Sequence, residues 1–352
     1  MGDAVKTDYA HKETDKIIEE LEKKLQKEYQ QASKEVEAKM NDYLRRFQIK
    51  DKKWRQWVAS GRKSKAEHLK WRQGQMIVGT RWGNLKEELA RDLNNTNQIA
   101  RKIINNDIKD VYALNMNFAT YQVEKELGIN TNFVLYDHDT VERIMKGDPE
   151  LLPPPGKKVS ERIRQKKDIR WNRKTIQSVA TQSILQGESI PTIAHRLAQA
   201  VGDSNYKSAI RNARTMCTGA QNAGRVDAHD RLKEIGCQID EYWLAVHDNR
   251  TRTSHRHLDG QKRGDDGFFS NGCRYPADPD CPDGAEIYNC RCTLIAIPRG
   301  FEENHTINAD PEIMGMSFDE WKKAKPVYKP ILSQVKKSQS IKRRYVNEYR
   351  RR

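Results

Sequence analysis

A single apolar stripe in residues 18–47 constrains the fold more than any other feature, because only a long helix aligns its members. They recur every three or four positions, which is the period of an α-helix. The stripe consists of Ile18, Leu21, Leu25, Tyr29, Ala32, Val36, Met40, Tyr43 and Phe47. Lysines and glutamates fill many of the positions between them. Such a helix either packs on its own domain or lies against a partner, and the sequence leaves both interpretations open.

The rest of the first 150 residues is also predicted to be largely helical. Apolar periodicity indicates helices over 84–106 and 107–128, with Asn94 and Asn95 as a break in the first and Gly128 at the end of the second. The short apolar run at 133–136 predicts a strand.

Three tryptophans, Trp54, Trp57 and Trp71, lie among lysines and arginines in residues 50–75. Basic residues interleaved with aromatic ones can neutralise nucleic acid and stack on its bases. Tryptophans in such a stretch also anchor small cores and interfaces. Both interpretations stay open at the level of sequence.

Three consecutive prolines at 153–155 predict a domain boundary, because proline cannot occupy a helix interior and favours an extended spacer. We therefore divide the chain into four parts. They are a helical N-terminal region (1–150), a Pro-rich linker (151–160), a mixed domain (161–297) and a basic C-terminal tail (298–352).

The mixed domain is predicted to begin with helices and to end with strands. A helix starts at Ser189 and stops at Gly202, and a longer one covers 208–235 with a face of small residues suited to close packing. Strands are predicted at 238–246 and 293–297, with a loop-rich region between them. The fold class is therefore α+β, a mostly helical N-terminal part followed by a small mixed, loop-rich C-terminal domain.

The charge balance predicts an acidic partner. The chain has 64 Lys and Arg against 49 Asp and Glu, a formal net charge of +15. DNA is the first candidate and an acidic protein surface the second. The predicted DNA-binding side chains lie in the tail and are Lys336, Lys337, Lys342, Arg343, Arg344, Arg350, Arg351 and Arg352. A merely solvated tail is the alternative.

The sequence contains no apolar run of the ~18 residues needed to span a bilayer, so no membrane partner is predicted. Its first residues lack an apolar signal segment, so we expect the chain to fold in a reducing cytoplasm. In that compartment its six cysteines are expected to be thiols or metal ligands rather than disulfides.

The densest group of chemically versatile residues lies in 247–292, and its first interpretation is a structural zinc site. His255, Cys290 and Cys292 are the leading ligands, with Cys273, Cys281 or His257 completing the set. A loop-rich segment with little apolar mass gains shape from a metal. Two alternatives stay open, namely reduced, partly buried thiols and a disulfide such as one between the cysteines at 273 and 281.

The second interpretation of this segment is catalytic. Asp248, His255, His257 and Asp259 could bind a metal that activates water, as in a nuclease. No His-Glu-x-x-His pair or Gly-rich phosphate loop accompanies them. An ion-pair network in which arginines beside Asp248 pin the loop is the simpler explanation, so we predict no catalytic residues and no enzyme.

The same residues resemble the Mu F-like domain of phage minor head proteins over about residues 171–297. The resemblance begins with a helix carrying Ala213, Arg214, Thr215 and Asn222. It continues through a strand and turn with Trp243, Asp248, Arg250, Thr251, Arg252, His255, Leu258, Asp259 and Gly260. It closes with Tyr275, Pro276, Asp278, Asn289, Cys290, Arg291 and Cys292. Many relatives have Glu where this chain has Met216.

This resemblance implies a minor capsid protein of a tailed bacteriophage, made in the host cytoplasm and located in the virion, inside the head near the portal. Its implied partners are the portal protein, packaged double-stranded DNA, and scaffold or major capsid protein. The N-terminal helical region would dock on the portal. Its implied role is head morphogenesis or DNA packaging and delivery. A zinc-stabilised DNA-binding protein and a metal-dependent nuclease or toxin-like enzyme are the alternatives.

Overall fold

The computed structural model describes residues 8–147, 161–301 and 308–327. The predicted class is confirmed, because most of these residues are helical and the strands are few and short. The helices are α1 (Tyr9–Arg45), α2 (Gln48–Ala59), α3 (Lys65–Met76), α4 (Thr80–Leu127), α5 (His138–Gly147), α6 (Glu161–Leu185), α7 (Ile190–Glu234), α8 (Thr253–Leu258) and α9 (Phe318–Ala324). The strands are β1 (Ile129–Asn130), β2 (Cys237–Leu244), β3 (Thr293–Phe301) and β4 (Asn308–Ala309).

Helices α1, α4 and α7 form the body of the molecule. The apolar stripe of α1 is confirmed, and it faces inward: Leu21 and Leu25 are fully buried against residues of α4 and α7. Asp8 caps the N-terminus of α1 by accepting a hydrogen bond from the backbone N–H of His11. The stripe therefore packs on the chain's own core, so it is not an exposed surface for a partner.

The two helices predicted over 84–106 and 107–128 are one continuous helix, α4. Asn94 does not interrupt it, because its side chain is buried in the helical body, where packing outweighs the weak helix propensity of asparagine. Gly128 does end it, with a φ of +62° that suits glycine. The strand predicted at 133–136 is wrong. Leu135 makes only an isolated bridge to Val327.

Helix α7 begins at the predicted Ser189 cap but does not stop at Gly202. That glycine instead allows α1 to approach, since a Cβ there would lie 1.9 Å from the hydroxyl oxygen of Ser33. Gly224 has a similar role, because a Cβ there would lie 2.7 Å from the carbonyl oxygen of Tyr112 on α4. The small face predicted over 208–235 packs with residues of α1 and α4 in one apolar cluster.

The tryptophan-rich segment folds as the hairpin of α2 and α3. The ring of Trp54 stacks on those of His68 and Trp71, each at 5.8 Å, and meets Trp57 edge-on at 5.4 Å. Beneath them Asp51 lies 2.8 Å from the His68 ring and 3.0 Å from the Arg72 guanidinium. The aromatic rings thus stack on one another, with Trp57 exposed and Trp71 also packed against the apolar cluster of the long helices.

The four strands of the described residues form two pairs, and both pairs are antiparallel. Strand β2 pairs with β3, which runs past Pro298 to Phe301 rather than ending at that proline as predicted. The register shifts between Gln238 and Ile239, opposite the proline, which has no N–H to donate. The mixed domain therefore contains one long hairpin-like pair with the loop-rich segment inserted between its strands.

Part of the predicted tail (298–352) is folded. Strand β4 pairs with β1, and the following residues pack on the C-terminal half of α4. There Trp321 donates to the Glu124 carboxylate at 2.6 Å, and the Lys325 ammonium lies 2.8 Å from it. Apolar burial around Trp321, fully buried itself, outweighs the polar sequence context that suggested a tail.

The predicted Pro-rich linker and the eight predicted DNA-binding cations of the tail lie outside the described residues. The helices on the two sides of the linker share apolar clusters: residues of α1 and α4 pack with residues of α6 and α7. Among the described residues no helix is long and apolar enough to cross a membrane.

Candidate metal centre

Three polar residues on one face of α7 hold the segment that leads into β3. Thr215 accepts a hydrogen bond from the backbone N–H of Asn289 at 3.0 Å, and Thr218 donates to the Cys290 carbonyl at 2.8 Å. Asn222 donates to the Cys292 and Pro276 carbonyls and accepts from the Leu294 N–H. Spacings of three and four residues place these side chains in one row along the helix.

Arg225, one turn further along α7, joins four segments of the chain. Its buried guanidinium makes a two-pronged pair with Asp8 at 2.6 and 2.7 Å, and it donates to the Asn115 side chain and the Leu294 carbonyl. Burial alone would raise the pKa of the Asp8 carboxyl, but the charge and hydrogen bonds of Arg225 hold it below its usual value. The start of α1, the middle of α4 and strand β3 are thus fixed to one side chain.

Asp248 holds the turn after β2 through an ion pair, as predicted. Its main partner is Arg291 rather than the expected Arg250 or Arg252. Arg291 binds both carboxylate oxygens of Asp248 at 2.6 Å and holds the pKa of that carboxyl well below its usual range. Arg250 lies 3.7 Å away, and Arg252 donates to the Tyr288 carbonyl instead. The pair ties the turn to the residue between Cys290 and Cys292.

The other residues of the predicted motif have structural contacts of the same kind. Asp259 accepts from the Ala245 N–H at 2.8 Å, and Gly260, at a φ of +73°, donates to the carbonyl of the fully buried Trp243. Asp278 binds Arg274 through both of its oxygens. Arg214 differs, because it pairs with Glu22 on α1 at 2.5 Å and so ties α7 to the first helix.

Two of the five predicted metal ligands are not available as thiols. Cys273 and Cys281 form a disulfide, so the prediction that they complete the metal site is wrong for this structure, and the alternative weighed in the sequence holds. Their sequence separation of 8 closes a short loop in the apolar cluster that also contains Tyr275. The fold brings them to each other because both line this small core.

The remaining three predicted ligands do come together. The donor atoms of His255, Cys290 and Cys292 all lie within 4.8 Å of one another, and all three residues are buried. The His255 Nδ1 is 3.3 Å from the Cys292 sulfur and 3.6 Å from the Cys290 sulfur. Helix α8 supplies the histidine, and the segment that α7 holds supplies both cysteines.

The two sulfur atoms are electrostatically unequal. A hydrogen bond from the Cys290 thiol lowers the pKa of Cys292 to about 5, with the neighbouring His255 adding to the effect. Burial raises the pKa of Cys290 well above its ordinary value. By contrast, burial, together with the nearby carboxylates of Asp107 and Glu22, raises the pKa of the Cys217 thiol to about 12. Two cysteine sulfur atoms beside an imidazole nitrogen are the kinds of donor atom found in zinc sites.

The residues predicted for a nuclease do not converge on one point. His255 faces the sulfur atoms, Asp248 binds Arg291, and Asp259 lies 2.8 Å from His247. His257 is exposed. Among the described residues the only cluster of three potential metal ligands is the one formed with the cysteines.

Sequence reasoning missed three residues around the site: Thr218, Arg225 and Glu286. Thr218 and Arg225 continue the row of Thr215 and Asn222 at helical spacing, so extending that row would have found both. Glu286 lies in a one-turn 3-10 helix, Gly284–Glu286, and no sequence period marks it.

Comparison with known proteins places the site in a known context. Residues 174–295 match the family described as Phage Mu protein F like protein. The chain is 27% identical over 296 residues to the minor head protein GP7 of Bacillus phage SPP1, an alignment that covers 81% of this chain and 85% of GP7.

A second curated relative is the NAD(+)--arginine ADP-ribosyltransferase EFV of Enterococcus faecalis, at 28% identity over 206 residues. That alignment covers 57% of this chain but only 40% of the transferase, so the chain spans about two fifths of that relative's length. No solved structure matches the chain.

Proposed function

The chain carries a Mu F-like domain and is a relative of phage minor head proteins, and from that premise we propose that it acts in head morphogenesis in association with the portal. The observation that carries this proposal is the extent of the similarity to a minor head protein, which runs well beyond the Mu F-like domain. The proposed role is structural rather than enzymatic. The contacts of the family-motif residues support this, since they hold segments of the chain together.

Portal association is tested by comparing phage heads assembled with and without portal protein. We expect this chain to sediment with complete heads at a low, fixed ratio to the portal and to be absent from portal-less heads. The major capsid protein serves as the loading control. Equal recovery from both kinds of head would contradict portal association while leaving a head protein. Recovery only from the soluble fraction would contradict the minor head role itself.

The docking surface on the N-terminal region is proposed to be the outer, polar face of α1, because its apolar stripe is buried. Lys23, Lys27 and Lys34 lie on that exposed face. Reversing their charges should reduce co-purification with portal protein without changing the thermal unfolding temperature. The matched control reverses Lys50, Lys53 and Lys70, exposed on the α2–α3 hairpin. Loss of portal binding in the control alone would assign docking to the hairpin and overturn the assignment to α1.

DNA contact is proposed for the eight cations of the tail, supported by the net charge of +15. Log affinity for duplex DNA falls with log salt by about 0.9 for each phosphate neutralised. Replacing all eight cations by glutamine should therefore flatten the salt dependence by up to about 7.

The matched control for the tail replaces six exposed cations of the hairpin that form no ion pair within the described part of the chain. They are Lys50, Lys52, Lys53, Arg62, Lys65 and Lys70. An unchanged slope in the tail variant together with a flattened slope in the control would move DNA contact from the tail to the hairpin.

A further inference from the structure

The His255, Cys290 and Cys292 group leaves neighbouring polar atoms without partners. Among the described residues, the buried atoms that form no hydrogen bond include His255 Nε2, Glu286 Oε2 and Trp243 Nε1, and all three border this group. The Nε2 and Oε2 atoms lie 3.0 Å apart, within ion-pair range but out of line for a hydrogen bond. The donor atoms on the other side of the histidine, His255 Nδ1 and the sulfur atoms of Cys290 and Cys292, converge within 4.8 Å of one another.

We propose that His255, Cys290 and Cys292 bind a zinc ion, with Glu286 positioning the histidine. Two sulfur donors and one imidazole nitrogen favour zinc, because calcium and magnesium bind mainly to oxygen ligands. The Nδ1 atom of His255 faces both sulfur atoms, so it is the ligand nitrogen. Among the described residues no fourth His, Cys, Asp or Glu joins the group, so the fourth position is taken by a ligand outside this set.

Metal binding through Nδ1 is compatible with the charged contact on the other side of the histidine ring. An imidazole that binds through Nδ1 carries its proton on Nε2, which faces the Glu286 carboxylate. A carboxylate on the far nitrogen of a metal-bound histidine fixes the orientation of the ring and raises its basicity. Ser254 in turn donates to the other Glu286 oxygen at 2.9 Å.

The ion would add a direct link between two segments that lie far apart in sequence. His255 is 35 and 37 residues from its two partners, and the intervening chain is almost free of regular structure. Both cysteine carbonyls are already bonded to α7, through Thr218 and Asn222. Zinc would therefore fasten α8 to the long helix, a structural role that the burial of all three ligands supports. The inference holds whether or not the chain binds a portal.

The test is metal analysis of the full chain purified in reducing buffer, with cobalt substitution as a second readout. We expect about one zinc ion per chain. We also expect a sulfur-to-cobalt charge-transfer band and the intense visible bands of a tetrahedral site after exchange. A folded preparation with a zinc ratio near zero and no charge-transfer band with cobalt would overturn the proposal.

Variants separate this site from other thiols. Cys290→Ser and Cys292→Ser should each lose the metal, whereas Cys217→Ser and the double change Cys273→Ser with Cys281→Ser should retain it. Equal loss in the double variant would place the metal at the other cysteines and overturn this assignment. Should the ligand variants fail to fold, Glu286→Gln, which keeps all three ligands, is expected to weaken zinc affinity by roughly 10–100-fold. Unchanged affinity would remove Glu286 from its positioning role.

Discussion

Two buried polar clusters touch helix α7, and they differ in whether the protein alone satisfies them. Around Arg225, the guanidinium binds Asp8, Asn115 and the Leu294 carbonyl, so charge and donors are matched within the chain. Around His255, buried nitrogen and oxygen atoms stay unpaired. The first cluster therefore joins the helices without any ligand, while the second is the place where we propose that a metal binds.

Breaking the complete cluster is expected to have the largest effect. Arg225→Gln removes a buried charge and leaves the Asp8 carboxylate and the Asn115 side chain without their donor, a change that typically costs about 3–5 kcal/mol. The free energy of unfolding in urea measures it. Arg231→Gln, on the same helix but half-exposed, is the control and should cost far less. Equal costs would mean that the Arg225 cluster is not what fixes the helices.

The buried polar cluster around Glu241 is also satisfied within the chain, and its contribution to stability can be tested by changing the pH. Burial alone would raise the pKa of Glu241, but a hydrogen bond with His229 and the charges of Arg263 and Lys233 hold it well below its ordinary value. Its stabilising contribution is therefore present above the unfolded pKa of about 4.3 and is lost as pH falls through the lower folded value. Glu241→Gln should cost about 1.5–3 kcal/mol at neutral pH, as expected for hydrogen bonds to a charged group.

Unfolding of the wild type and of Glu241→Gln is compared from pH 7 down to pH 2. The difference in the free energy of unfolding between the two proteins should disappear only in the most acidic part of that range. A difference that stays constant with pH would show that packing, rather than the carboxylate charge, accounts for the loss.

Asn222 connects the two clusters, since its amide binds backbone groups on both sides of Thr293. Asn222→Ala leaves buried carbonyl and N–H groups unsatisfied, at a cost of about 1–3 kcal/mol. If the row of polar side chains on α7 positions the cysteines, the same change should also lower the amount of zinc that the protein retains in the presence of a chelator. Asn95→Ala, at a half-exposed position of α4, is the matched control. Lower stability with full zinc retention would separate the row of polar side chains from the metal site.

The smallest effect is expected from the partly exposed pair of Asp248 and Arg291. Asp248→Asn should change global stability little, because solvent screens the pair. Cleavage of the turn at 248–252 by a protease at low concentration should nevertheless become faster. Since the pKa of Asp248 is depressed, the wild type should approach the variant's cleavage rate only in strong acid. An unchanged cleavage rate at neutral pH would mean that the turn is held by its backbone contacts alone.

Sequence periodicity predicted most of the fold, and it failed where packing replaces local preference. Gly202 reads as a helix stop in isolation, but its place beside Ser33 is known only once α1 and α7 meet. Asn94 is a weak helix former that the surrounding core keeps helical. Such positions depend on residues more than 100 places away or on the whole core, which a local pattern does not contain.

The types of ligand in the candidate site could be predicted from the sequence, but the full set of residues that form it could not. His255, Cys290 and Cys292 were identified from residue chemistry and from the family resemblance, and the fold brings them together. Cys273 and Cys281 offer the same chemistry, and only their position in the small apolar core pairs them with each other. Glu286 was missed because a carboxylate that supports a ligand has no spacing rule of its own.

The anchoring of residues 308–327 limits how far the eight tail cations can lie from the folded part of the protein. Trp321 and Lys325 fix this segment to Glu124, and Val327 bridges to Leu135. The eight tail cations lie 9 to 25 residues beyond Val327. At about 3.3–3.6 Å per fully extended residue, none can lie farther than about 90 Å from that point. If these cations contact a DNA duplex as proposed, that duplex has to pass within about this distance of Val327.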